Sequence, residues 1–464
     1  MPQHVNDSCK SDSILPPFVA RRILLIIFTV LIEIYIPGPN TVAKAQAPPS
    51  GMLRSPYPQR IIQRGNLKIT LGEIRMVMRG PMFPLLARVS DMSIMITAAR
   101  AEEQGQVRSI RSDDLGRTWR SYEPRVARGA ALNTIRLADG RVLSIYYDTK
   151  PIAERPGYRS TTRWLSEDGW KTMQGPLTDG TVYLPPDEFK IANSQWFHGN
   201  TIQLPGGELL SAMQGVDKDG SGIYPFHTFV ARSADNGKTW LFLSRIASLG
   251  NIDDPQRRTK QGWHLHGPCE HTLAYLGGNR LISVARIVND DRTSPMSEAS
   301  DTYRDLSYTI PGSGIHPDSR YPADKFYTPG PRSAPLVISY SQDLGKTWSR
   351  PKPMREACGC APRSAVSKIS SKDGKQTDVI ALSYGALAFP RWGNCIKFST
   401  DGGHIWTDEI NYAPFFSTGY TDILQLTPGK FLCTFDCTPP QPWTAHATHW
   451  VGVLDIEVEV EAHK

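Results

Sequence analysis

The sequence lacks the marks of several common protein classes. No long stretch carries apolar residues at the spacing of an amphipathic helix, while short apolar runs bounded by Gly, Pro, Asp and Asn recur throughout. That argues against a helical bundle and for an all-β chain rich in turns. No run of five or more Lys or Arg occurs, although the formal net charge is +7. The basic residues are dispersed, so no nucleic-acid partner is expected. The apolar run at residues 23–32 is too short to cross a hydrocarbon core of roughly 30 Å. Metal signatures are also missing. Cys358-Gly-Cys360 is tighter than most metal-site spacings and has no accompanying His pair, and "VDKDGSG" from Val216 lacks the later Glu of a calcium loop. No metal and no cofactor is therefore expected.

What is present begins with the N-terminus. Arg21-Arg22 precede the short apolar run, and Ala43-Lys-Ala45-Gln-Ala47 follows it. This is the layout of a secretory signal with a small-residue cleavage site. The reading is a secreted, periplasmic or extracellular protein, with no stable membrane insertion after cleavage and an uncleaved anchor as the alternative. Residues 1–47 are assigned to leader and signal, 48–74 to an N-terminal segment and 75–464 to the folded body. Six cysteines lie in that body, which in an exported chain permits up to three disulfides of unspecified pairing.

The body is repetitive. The turn "RSDDLGRTW" ending at Trp119 returns as "RSADNGKTW" ending at Trp240 and "YSQDLGKTW" ending at Trp348, with weaker forms "LSEDGWKTM" and "FSTDGGHIW" around Asp168 and Asp401. Ser and Asp side chains can bond backbone amides in a tight turn, Gly supplies a positive φ, and Trp buries a large face. The turn is therefore structural. The interval from Asp235 to Asp343 is twice that from Asp114 to Asp168, which suggests a decayed copy between them. A second element, strand–turn–strand, has six copies, among them "NTIRLADGRVLSIYYD", "NTIQLPGGELLSAMQG" and "HTLAYLGGNRLISVAR". Six such hairpins imply a six-bladed β-propeller.

These turns match what is called the Asp box, and the chain resembles the sialidase superfamily over about residues 75–458. In "CEHTLAYLGGNRLISVAR", Glu270 and Arg286 stand 16 positions apart, close to that family's Glu-to-Arg spacing. "FPRWGNCIKFS" resembles the segment carrying the third Arg of the family's carboxylate clamp, which assigns Arg391. "STGYTDILQL" resembles the nucleophilic Tyr segment, which assigns Tyr420. Asp436 in "LCTFD" stands where the family has an acid that orients the first Arg.

The resemblance implies an exo-glycosidase acting on sialic acid or a related acidic sugar. A forked guanidinium binds a carboxylate bidentately. A carboxylate nucleophile would be repelled by such a substrate, whereas a neutral Tyr activated by Glu would not. Two departures stand out. The family's Arg-Ile-Pro register is occupied by Met82-Phe83-Pro84, leaving Arg79 as a substitute for the first Arg. The acid Asp is absent from "ARAEEQGQV", leaving Glu102 or Glu103 to protonate the leaving group. His198 and Asn200 in "WFHGN" are further candidates for a substrate subsite. "WHLHGPCEH" places His264, His266 and His271 beside Glu270, and Ser297 to Arg332 form a long, Tyr-rich insertion suited to a substrate loop. Alternative readings are a propeller hydrolase or lyase for another acidic polysaccharide, with His198 or His264 as base, and a non-catalytic glycan-binding propeller. The partner in every case is a glycan.

Overall fold

A computed structural model of the chain describes residues 59–99, 107–123, 133–189, 192–217, 226–248, 250–251, 265–289, 335–371, 373–386, 392–437 and 450–462. Among them there is no α-helix, and the strands form an all-β propeller whose sheets, of six, ten, seven and four strands, divide into six blades. The six hairpins read from the sequence are the two innermost strands of the six blades. They pair Met82–Arg88 with Ile94–Ala99, Asn133–Arg136 with Val142–Ile145, Thr201–Gln203 with Leu209–Asp217, and Leu265–Tyr275 with Leu281–Asn289. In blade five the second half of Lys352–Ser370 pairs with Gln376–Ala386, and in blade six Thr421–Thr427 pairs with Lys430–Cys437. Each innermost strand packs against that of the next blade, and the sixth returns to the first, so the ring is closed.

Closure is made by the N-terminal strands. Leu67–Leu71 pairs with residues 456–460 of the strand Trp450–Val460, and Arg75–Arg79 pairs with residues 450–453 of the same strand. The hairpin formed by Arg60–Arg64 and Leu67–Leu71 thus belongs to the sheet of blade six.

The repeated turns join the third and fourth strands of blades one to five. In the first, Ser112 Oγ donates to Asp114 Oδ1 at 2.7 Å and accepts from the Gly116 amide at 2.7 Å, while Asp114 takes the Thr118 amide at 2.9 Å and its hydroxyl at 2.6 Å. The others repeat this pattern around Asp168, Asp235, Asp343 and Asp401. Asp235 and Asp343 belong to consecutive blades, so no copy has decayed between them. The doubled interval comes from chain inserted within blade four. The blade without a corner is the sixth, because its outer positions are filled from the N-terminus.

The core is divided among the blade interfaces. Trp119, Trp170, Trp240, Trp348 and Trp406 each pack into the cluster between their own blade and the one before it. Close packing there explains the turn glycine. Gly237 has φ +78°, and a Cβ on it would lie 2.8 Å from Leu143 Cδ2 of the preceding blade. Between blades five and six, where no corner Trp exists, Leu67, Ile69 and Leu71 fill the cluster instead.

The disulfide expectation is largely overturned. Cys395, Cys433 and Cys437 are thiols, and burial pushes each one's pKa up.

Candidate active site

The corner turns lie at the end of the blades where the inner hairpins turn. Functional side chains gather at the other end, where the innermost strands begin. Three non-glycine residues with positive φ mark that mouth: Phe83 (φ 56°), Glu270 (φ 37°) and Ala361 (φ 46°). Each coincides with a register shift in its strand pair, between Met82 and Leu85, Cys269 and His271, and Cys360 and Arg363. A bulge takes one residue out of the alternation of a strand and re-aims it. At Glu270 it directs the carboxylate toward the start of blade six.

Both carboxylate oxygens of Glu270 are held. Tyr420 Oη donates to Oε1 at 2.5 Å. Arg286 Nη1 donates to Oε2 at 3.0 Å, and the Ala361 amide donates to the same oxygen at 3.2 Å. The Glu270 amide donates to Gln214 Oε1. Glu270, Arg286 and Tyr420 are all buried. Tyr420 follows Gly419, whose backbone lies 2.1 Å from where a Cβ on Gly385 would stand, so blade five needs glycine there to let Tyr420 come in. The Phe83 ring meets Tyr420 edge-on at 4.9 Å between centroids.

The electrostatics follow from this geometry. Burial pushes the Glu270 carboxyl up, but Arg286, then His198 and the hydrogen bond from Tyr420, outweigh it and hold the pKa at about 2. Burial, and next the Glu270 charge, drive the Tyr420 pKa well above its ordinary value. Burial draws His198 down to about 4 against the pull of Glu270. Near neutrality the cluster is thus a neutral phenol hydrogen-bonded to a carboxylate, beside a neutral imidazole.

The structure brings together Glu270, Tyr420 and Arg286, with His198 near enough to feel the Glu270 charge. The other candidates are placed differently. Asn200 clamps blade three to blade four: its Nδ2 donates to the Leu273 carbonyl at 2.8 Å and its Oδ1 accepts the Leu273 amide at 2.7 Å. Its amide is spent on the scaffold. Asp436 accepts from the Phe83 amide at 2.9 Å, Ser417 Oγ at 2.8 Å, the Thr418 amide at 2.8 Å and Thr418 Oγ1 at 2.5 Å. Those donors occupy a carboxylate's acceptor sites, so Asp436 anchors Phe83 instead of orienting an arginine. Arg79 is exposed at the end of its strand. His271 bonds the Met213 carbonyl of blade three at 2.8 Å and Ser283 Oγ of its own blade at 3.1 Å, so both ring nitrogens serve the scaffold. Arg391, Glu102, Glu103, His264 and residues 297–332 lie outside the described residues, as does the side chain of His266.

One mouth residue escapes the sequence reading. Arg363 opens the inner strand of blade five and is buried. A signal for it exists. Inner strands open with one side chain followed by a hydroxyl residue: Asn133-Thr134, Asn200-Thr201, His271-Thr272, Arg363-Ser364 and Tyr420-Thr421. Aligning these pairs puts Arg363 in the same register as Tyr420.

No protein-family model matches the chain, and no curated protein matches it. Solved structures do. A protein of unknown function from Dyadobacter fermentans aligns with a TM-score of 0.53 at 16% identity, over 84% of this chain and 99% of that one. A Hadza microbial sialidase aligns with a TM-score of 0.52 at 16% identity, over 82% of this chain and 66% of that one. At that identity the likeness establishes the fold and nothing finer.

Proposed function

We propose that the chain is an exo-glycosidase for a sugar acid, with sialic acid as the first substrate to test. The observation that carries this reading is the 2.5 Å hydrogen bond from Tyr420 Oη to Glu270 Oε1, with Arg286 on the opposite carboxylate oxygen. Tyr420 is the nucleophile and Glu270 the base that takes its proton. A neutral phenol can approach the anomeric carbon of an anionic sugar without the repulsion a carboxylate would meet. In the resting site Arg286 holds Glu270 strongly ionised and therefore weakly basic. A substrate carboxylate that shares Arg286 relieves that hold and raises the basicity of Glu270 as the proton must move. Arg391 would complete the clamp, and Glu102 or Glu103 would protonate the leaving oxygen. The sialidase among the fold neighbours supports the reading. The N-terminal signal pattern supports a location outside the cytoplasm for this reading, with a glycan as the partner.

The test is release of 4-methylumbelliferone from an aryl sialoside and from aryl uronides. The wild type is expected to turn over at least one, and Tyr420→Phe none at a comparable rate. A wild type inert toward all of them, or a Tyr420→Phe variant as active as wild type, would overturn the proposal. An unsaturated, ultraviolet-absorbing product from a uronate polysaccharide would instead establish the lyase alternative.

A further inference from the structure

Arginine side chains rarely stay buried without a partner, because the guanidinium does not give up its proton and its desolvation goes uncompensated. Arg286 meets this requirement through Glu270. Arg363 does not. It is 6% exposed and pairs with no carboxylate among the described residues, and none of its nitrogens is both sealed from solvent and unpartnered, so the guanidinium keeps its contact with the water of the channel. It lies two positions beyond Ala361, whose amide holds the Glu270 carboxylate, on the far side of the same bulge. Its neighbour Ser364 bonds Thr272 of blade four, with 2.9 Å between the hydroxyls, which fixes the inner strand of blade five against the strand that carries Glu270.

The charge of Arg363 is felt on three sides of the ring. It bears on His198 of blade three, His271 of blade four and Asp422 of blade six, in keeping with its place at the start of the innermost strand of blade five. Asp422 does not neutralise it by contact. Its Oδ2 takes the Leu86 amide at 2.9 Å and its Oδ1 the Ile423 amide at 2.9 Å.

We propose that Arg363 is a substrate-binding residue whose missing counter-charge is the carboxylate of the bound sugar acid. It replaces, from blade five, the arginine that blade one lacks where Met82-Phe83-Pro84 stands. The inference rests on the reading of Glu270 and Tyr420 as a site for anionic sugars. It goes beyond that reading by assigning the anion's principal partner to a strand from which no clamp residue was expected.

The experiment compares binding of N-acetylneuraminate, galacturonate and glucuronate with that of neutral galactose and glucose, by calorimetry and thermal shift. Wild type, Tyr420→Phe, Arg363→Met and Arg363→Lys are measured side by side. Wild type and Tyr420→Phe are expected to prefer at least one acid over the neutral sugars. Arg363→Met is expected to bind that acid about tenfold to a hundredfold more weakly, in line with losing a charge-assisted pair. The ligand-free Arg363→Met protein should melt no lower than wild type, since no protein partner is lost with the guanidinium; a purely structural arginine would give the opposite shift. If the Met variant fails to fold, Arg363→Lys decides: it keeps the charge and loses the fork, and weaker acid binding is expected from a folded protein.

Retention of the wild-type acid preference by a folded Arg363 variant overturns the proposal, as does a wild type with no acid preference. The two proposals fail separately. Acid binding that depends on Arg363, in a chain that turns over no glycoside, sinks the glycosidase reading alone. Turnover that depends on Tyr420, with Arg363 indifferent to the acid, sinks this one alone.

Discussion

The corners and the mouth of the propeller solve the same backbone problem in different ways. Leu115, Asn236 and Leu344 at the corners adopt left-handed φ of 58°, 56° and 58°, and Phe83, Glu270 and Ala361 at the mouth adopt 56°, 37° and 46°. Such conformations cost a non-glycine residue on the order of 1–3 kcal/mol. At a corner the compensation is local. The Ser and Asp side chains bond amides two to four residues away, and the same side chains do it every time. At the mouth each strained residue is held by a different and distant group: Phe83 by Asp436, Ala361 by Glu270, and Glu270 by Arg286 and Tyr420. Strain that is locally compensated serves the scaffold and can be copied from blade to blade. Strain held by long-range contacts aims single side chains, and here it aims them at one another.

That contrast is open to attack by substitution. The largest effect is expected from Tyr420→Phe, which should lower turnover by about 10² to 10⁴-fold while leaving the melting temperature near that of wild type. Loss of fold along with activity would mean that Tyr420 is chiefly a packing residue. Glu270→Gln should be costly in a second way. It removes the negative charge from the buried pair with Arg286, and chemical denaturation should show a loss of about 3–5 kcal/mol.

The pH dependence of that loss sharpens the point. The folded pKa of Glu270 is depressed from 4.5 to about 2, so its ionisation stabilises the native state above pH 4.5 and that contribution disappears as pH falls toward 2. The difference in melting temperature between wild type and Glu270→Gln should therefore shrink over this window and stay constant above it. A gap that widened on acidification would contradict the assignment. The smallest effect belongs to a corner. Gly237→Ala must adopt φ +78° against Leu143 and should cost about 1–2 kcal/mol, with turnover per folded molecule unchanged. Reduced turnover in that variant would show that corners and mouth are coupled.

Much of this molecule is legible in its residues because much of it is local. The Ser–Asp–Gly–Thr–Trp corner is complete within nine residues, and each inner hairpin closes over a short turn, Gly-containing in all but blade one. Counting hairpins therefore counted blades. The corner intervals misled at one place, between Asp235 and Asp343, because an insertion lengthens a blade without adding one. They also gave no sign that the N-terminal strands close the ring, since the pairing of Leu67–Leu71 with residues 456–460 joins opposite ends of the chain. At the mouth, the Glu270 and Tyr420 segments could be picked out one by one. That their side chains meet, that Asp436 is spent on Phe83 and that Asn200 is spent on Leu273 could not, because those contacts cross blades.

The sequence by itself determined the strand periodicity, the corners and the class of the fold, since each depends on residues within a turn or two of one another. Only the tertiary structure decided which side chains share the channel and which are neutralised there. Arg286 and Arg363 are both arginines on blade strands, and nothing in their local sequence says that one is paired and the other is not. That difference goes with the bulges at Glu270 and Ala361, which set the Glu270 carboxylate against Arg286 and Tyr420 through contacts distant in sequence and leave Arg363 on the far side of the blade-five bulge.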